Sequence, residues 1–403
     1  MVGINPSCDS GCLYYNPAGF TPPDRTEQDM KFRLFISVVA IIYASFTQAG
    51  NPASPEAGSK KDKNLYFYNW SDYIAPNTIQ DFEKKTGIKT TYDLYDSNEV
   101  LEGKLLSGKS GFDLVSPSHD FYKTQIRAGV YSKLDKSQLP NLKNLDPALM
   151  KRISDSFDKD NQYGIPYLWG TTGIGYNKKA VEKALGKNAP VDSWALVFEP
   201  ENMKKLQQCG VAFLDAPSEV LPSVMAYLGI PGDSLAIKDY KAAVNKIKTV
   251  SPYVSYFHSS KSITDLANGD ICVAIGWSGD MLMARDRARE AKNNQDIRYS
   301  IPKEGAALWF DMLAIPADAP NKKAAHEMLN YLMEPKTIAD ISNYVAFANP
   351  TPVSKPYIDA EVVNDPGIYP TPATMDKLFV FKELPRRLKS YITREWTRLK
   401  TGR

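Results

Sequence analysis

The chain has 403 residues, 43% hydrophobic and 24% charged, the composition of an ordinary soluble protein with room for two to three domains. Its 49 Lys and Arg against 46 Asp and Glu leave a formal charge of +3, too even for a nucleic-acid binder or a dedicated membrane-surface protein. Four Cys exclude a disulfide-dense scaffold, three His argue against a His-rich metal centre, and no apolar run reaches the roughly 18 residues of a membrane-spanning helix.

Residues 1–29 show neither helical nor strand periodicity and are punctuated by Pro and Gly. At Met30 the pattern changes: Lys31 and Arg33 precede an apolar run from Leu34 to Ala44, and Thr47 and Ala49 are small residues suited to signal-peptidase cleavage. Residues 30–49 are therefore expected to be a secretory signal peptide, with Met30 the initiator and 1–29 an upstream extension. The alternative is an N-terminal domain ending in a buried strand. No Cys follows the run for lipid attachment, and residues 50–63 read as a flexible linker. Only Cys209 and Cys272 remain in the mature chain. They form one disulfide, as an oxidising compartment favours, or stay two separate thiols.

Leu65–Trp70 reads as a buried strand ending in a polar turn, followed by a helix through Lys85 that Gly87 closes. Lys89–Tyr95 is a second strand, Asn98–Leu106 a helix, Phe112–Ser116 a third strand, and Phe121–Ala128 a helix after a loop. Strands alternating with helices at this spacing predict βαβ units and a mainly parallel sheet, whose ligands bind beyond the carboxyl ends of the strands. Tyr163–Asn177, extended and interrupted by four Gly, suits a crossover strand between two lobes. A second α/β set follows: a strand at Val211–Leu214, helices at Ser218–Leu228, Lys238–Thr249 and Ser262–Ala267, and a strand at Ile271–Gly276. Segments from Arg298 and over Leu308–Ile315 are expected to return to the first sheet, and Lys322–Met333 is an amphipathic helix.

No Walker loop is present, Gly173-Ile-Gly175 lacks a third glycine, and no His belongs to an HExxH motif. Gly276-Trp-Ser-Gly279 begins like a nucleophile elbow but places Asp280 where the second glycine is required. No catalytic constellation and no cofactor site emerge. What recurs is an aromatic residue beside Asp at strand ends: Trp70-Ser71-Asp72-Tyr73, Trp277-Ser278-Gly279-Asp280 and Trp309-Phe310-Asp311, with Asp120 and Asp215 also following strands. Taken singly, each Trp is more often core than ligand wall. Three such pairs in both halves point to a site. Aromatic faces attract cations and carboxylates add charge-assisted hydrogen bonds, so such walls would hold an elongated polycation.

Asn69-Trp-Ser-Asp-Tyr-Ile-Ala-Pro, Asp96-Ser-Asn-Glu-Val-Leu-Glu-Gly-Lys, Thr172-Gly-Ile-Gly-Tyr-Asn, Phe257-His-Ser-Ser, Asp265 to Trp277 and Ile301-Pro-Lys-Glu-Gly-Ala resemble segments of bacterial periplasmic polyamine-binding proteins, the putrescine- and spermidine-binding components of ABC importers. The similarity runs from about Leu65 to the C-terminus. It implies a two-lobed type II periplasmic binding-protein fold, each lobe a mainly parallel sheet flanked by helices, that closes on its ligand without catalysis. The lobes are expected at 64–167 plus 290–335 and at 168–289 plus 336–403. The implied ligand-binding residues are Trp70, Ser71, Asp72, Tyr73, Ser118, Asp120, Trp277, Asp280, Trp309, Asp311 and Phe347, and the family's paired cysteines match Cys209 and Cys272. The implied setting is a periplasmic monomer that hands a polyamine to a membrane permease, with no nucleic-acid partner. A polyamine sensor signalling to a membrane receptor is the alternative.

Four departures bear on the ligand. Ser218 stands where putrescine-binding members can carry Glu, Phe347 where a Tyr occurs, Trp309 where Phe is common, and Asp120 where Ser can stand. A carboxylate moved from one position to another, with a larger aromatic wall, predicts a preference for spermidine over putrescine.

Overall fold

The computed structural model describes residues 64–401; the expected extension, signal peptide and linker lie outside them. Ten strands are assigned among these residues: β1 (Asn64–Trp70), β2 (Lys89–Tyr95), β3 (Leu114–Val115), β4 (Gly164–Asn177), β5 (Val211–Phe213), β6 (Tyr256–Phe257), β7 (Val273–Trp277), β8 (Ile297–Ser300), β9 (Ala307–Ala314) and β10 (Phe379–Val380). They hydrogen-bond in the order β2-β1-β3-β9-β4-β7-β5-β6, with β10 beside β9 and β8 beside β4. The β1–β2, β1–β3, β5–β7 and β5–β6 pairs are parallel, each linked by a helix-containing crossover, as alternating strand and helix patterns require.

β4 and β9 run against this grain and join the halves. β4 pairs antiparallel with β9 from Gly164 to Thr171 and with β7 from Thr172 to Tyr176, so the partner changes between two adjacent threonines. This is the crossover the glycine-interrupted run predicted.

Two cores flank the changeover. The first gathers Leu65, Phe67, Leu114, Ile165 and Leu168 with Met312, Leu313, Met328 and Leu329. The second gathers Ile174, Trp194, Phe213, Val224 and Val273, closed by Leu388, Ile392 and Trp396 of the C-terminal helix Arg386–Thr401. Two stretches fall on the other side of the expected boundaries. β8, expected to return to the first sheet, instead pairs with Ile174–Asn177, and Ile297 packs with Ile263, Leu266 and Met281. Ile338, Ile341 and Val345 of the helix Pro335–Val345, with Phe347 after it, belong to the first core rather than the second. The chain thus recrosses at β9, because β9 alone of the two late strands offers a fully buried run.

Cys209 and Cys272 are joined in a disulfide with a Cα separation of 5.4 Å, tying the approach to β5 to the residue before β7. Since β5 and β7 are parallel neighbours, their entry points lie side by side. No described helix is long and apolar enough to cross a membrane.

Candidate functional site: an acidic aromatic cavity

The carboxyl ends of β1, β2 and β7, the middle of β9 and the amino ends of five helices converge on one cavity of about 510 Å³, mouth included. Its walls are aromatic. Trp70 ends β1, with its indole N–H donating to the Ser116 carbonyl at 2.8 Å and its ring 4.7 Å from Tyr95. Across the cavity Trp277 ends β7 and meets Trp70 edge-on, centroids 5.7 Å apart. Tyr73 and Trp309 each lie 5.2 Å from Phe347. Phe347 is aimed inward by Ala346, which closes the preceding helix in the left-handed region at φ 54°. On β9, pleat alternation points Trp309 and Asp311 into the cavity and Phe310 into a separate groove beside His119.

Three carboxylates stand among these rings, and among the described residues none forms an ion pair with Lys or Arg. Asp311 is buried and accepts hydrogen bonds from the Tyr73 hydroxyl at 2.7 Å and the Ser118 hydroxyl at 2.5 Å. Burial still pushes its carboxyl up to about 7, against the lowering effect of those donors. Glu219, half-buried in the first turn of the helix Pro217–Tyr227, accepts from the Thr172 hydroxyl at 2.5 Å; desolvation pushes it up to about 8. Asp280, in the first turn of the helix Ser278–Glu290, is buried and is held well above the usual carboxylate range, first by desolvation and then by Asp72. Asp72 sits at φ 53° and pairs with Arg287 of that same helix at 2.7 Å, so an ion pair bridges the two halves at the cavity.

A family model described as bacterial extracellular solute-binding protein matches residues 77–371. The chain belongs to the bacterial extracellular solute-binding protein family. It is 54% identical over 359 residues to the putrescine-binding periplasmic protein SpuD of Pseudomonas aeruginosa (strain UCBPP-PA14), covering 89% of this chain and 97% of that one. It is 52% identical over 344 residues to the putrescine-binding periplasmic protein PotF of Escherichia coli (strain K12), covering 85% and 93%. Among solved structures, a candidate spermidine/putrescine ABC transporter protein from Listeria monocytogenes superposes with a TM-score of 0.75 at 33% identity, covering 85% of this chain and 100% of that one. The fold is that of the type II periplasmic binding proteins, as the resemblance implied, and the family is one of binding proteins rather than enzymes.

Of the residues expected at the site, Trp70, Ser71, Asp72, Tyr73, Ser118, Trp277, Asp280, Trp309, Asp311 and Phe347 all line the cavity. Asp120 does not. The helix expected to begin at Phe121 begins at His119, with Ser118 as its N-cap, so Asp120 occupies the first helical turn and faces the groove beside His119. Its charge reaches Asp311 and Glu219 only at a distance, raising both slightly. Ser218 also lies outside the cavity, in a neighbouring recess, and the carboxylate thought to be missing there is supplied one residue later by Glu219. Asp215 caps no site: it accepts from the Trp396 indole at 2.8 Å and pairs with Lys400 at 2.6 Å. Asp96, Asn98, Ser259 and Ser260 complete the cavity wall. Asp96 follows the carboxyl end of β2 directly, which is the signal that would have found it.

Proposed function

We propose that this chain captures a linear polyamine in the aromatic cavity and delivers it to the permease of an ABC importer in the periplasm. The observation that carries this reading is the set of three buried or half-buried carboxylates, Asp280, Asp311 and Glu219, that stand without cationic partners among aromatic walls, with the exposed Asp96 beside them. Ammonium groups supply the missing charges, and the methylenes between them lie against Trp70, Trp277, Trp309 and Phe347. The names of SpuD and PotF, both putrescine-binding and periplasmic, support the ligand class and the compartment. Residues 30–49 fit export by a cleavable signal, and N-terminal sequencing of the exported protein is expected to begin at Gly50.

Within the class we favour the triamine spermidine, on a changed argument. Asp120 is not the added carboxylate; Glu219 is the third one, beside Asp280 and Asp311. Three ammoniums match the three buried or half-buried carboxylates, the exposed Asp96 being solvated at the rim, and Trp309 widens the wall as its size requires. The diamine putrescine, named in both relatives, is the competitor and would leave one carboxylate uncompensated. Thermal shift with putrescine, cadaverine, spermidine and spermine tests both levels, since a ligand that binds only the folded state raises apparent stability. No shift with any amine would overturn the ligand class, and a putrescine shift equal to that of spermidine would overturn the preference.

A further inference from the structure

Glu219 has no aromatic neighbour in sequence and stands on a helix whose other inward residues serve the core. Its place at the cavity is set from outside that helix. Thr172, fully buried on β4, gives its hydroxyl to Glu219 Oε2 at 2.5 Å, and Trp277 at the end of β7 lines the same cavity. Thr172 and Trp277 are direct cross-strand partners, and Thr172 is the first residue of β4 after the strand leaves β9. The carboxylate is therefore oriented from the backbone position at which β4 changes partner between the two halves. The branched Thr side chain holds its hydroxyl in few rotamers, which makes the orientation definite.

We propose that Thr172 is a positioning residue for ligand binding: it aims Glu219 at the cavity and favours its charged form there, without touching the ligand itself. This rests on the polyamine reading above. The chemistry is specific to the hydroxyl. A carboxylate that accepts a hydrogen bond is favoured in its charged form, so removing the donor leaves a half-desolvated carboxyl that takes up a proton more readily. A protonated Glu219 offers an ammonium no charge.

The test is calorimetric titration of spermidine into the full chain, its Thr172→Val variant and its Thr172→Ser variant, at pH 7 and pH 9. Hydrogen bonds to charged groups of this kind correspond to roughly ten- to hundred-fold in affinity. Thr172→Val is expected to weaken binding by about that factor at pH 7, with the deficit shrinking at pH 9, where Glu219 ionises even without the donor. Thr172→Ser, which keeps the hydroxyl, restores most of the affinity. Taking ratios between variants at each pH cancels the ligand's own titration. No loss at pH 7, an equal loss at both pH values, or failure of Thr172→Ser to restore binding overturns the proposal. Carbon-13 NMR of the Glu219 carboxyl in the unliganded protein gives a reading independent of any ligand. Its midpoint must rise in Thr172→Val, or in Thr172→Ala should the valine variant not fold, and an unmoved midpoint overturns the proposal. If the parent chain takes up no polyamine while the midpoint does rise, the ligand reading fails and the positioning role stands.

Discussion

Asp280 shares its cavity with Asp72, is desolvated, and has its nearest cation, Arg287, already engaged with Asp72. If its role is to receive an ammonium, Asp280→Ala removes the acceptor and leaves the ligand's charge buried alone, a loss on the order of 2–5 kcal/mol of binding. Calorimetry should show that loss while circular dichroism shows an unchanged fold; retained affinity would remove Asp280 from the site. The carboxylates also set a pH dependence. Asp311 and Glu219 titrate near 7 and 8 when folded, well above the usual carboxyl range they regain on unfolding. Between those ranges the folded chain binds more protons than the unfolded one, so the unliganded protein becomes less stable as pH rises from about 5 to about 8. Ligand binding needs the ionised forms, so affinity rises over the neutral part of that range and binding releases protons. Titrations in two buffers of different ionisation enthalpy should give different heats, and identical heats would contradict this. Asp72, Asp280 and Asp311 were legible in the sequence because each stands within three residues of a Trp, although Trp309 and Asp311 lie in the middle of β9 rather than at a strand end as expected. Glu219 was not, because the hydroxyl that orients it is distant in sequence. Asp120 misled because the helix there starts two residues earlier than its apolar pattern indicated.

The crossover strand shows why elements were more legible than their partners. Its four glycines marked β4 as unusual, and one of them explains how Trp309 reaches its place. A Cβ on Gly170 would stand 2.7 Å from Trp309 Cζ2 and 2.8 Å from Ser278 Oγ, so only glycine lets the indole lie against the strand. Gly170→Ala is expected to destabilise the fold by roughly 1–3 kcal/mol through overpacking and to weaken ligand binding by displacing Trp309. Urea unfolding and calorimetry check the two effects, and an unaltered midpoint with unaltered affinity would show that the indole has room to spare. β1, β2 and the helix between them followed directly from periodicity and from the terminator Gly87, which adopts φ 74°. β8 did not, since four residues of strand pattern state that a strand exists but not which neighbour accepts it. The disulfide was open from cysteine count alone; parallel pairing of β5 and β7 is what brings Cys209 and Cys272 together. In the chain-entropy model a loop of this length corresponds to about 4 kcal/mol of stabilisation.

At the scale of the whole described molecule, two cores built on opposite ends of β4 meet over a cavity that contains more acid than base. The contacts that join the halves there include the Trp70–Trp277 edge contact, the Asp72–Arg287 ion pair and the close approach of Gly279 to Phe347. An ion pair with both side chains about one-third exposed contributes little by itself, within about 0–1 kcal/mol. A bound ligand reaching Asp311 on one side and Asp280 and Glu219 on the other would add to the contacts that hold the halves together. The near-zero net charge of the chain gave no sign of this, because a local acidic cleft is averaged away over 403 residues. The measurement that bears most directly on the account is calorimetric titration of the exported protein with spermidine and with putrescine at pH 8. It predicts a single saturable site, proton release, and tighter binding of spermidine; the absence of saturable heat with either amine would contradict it.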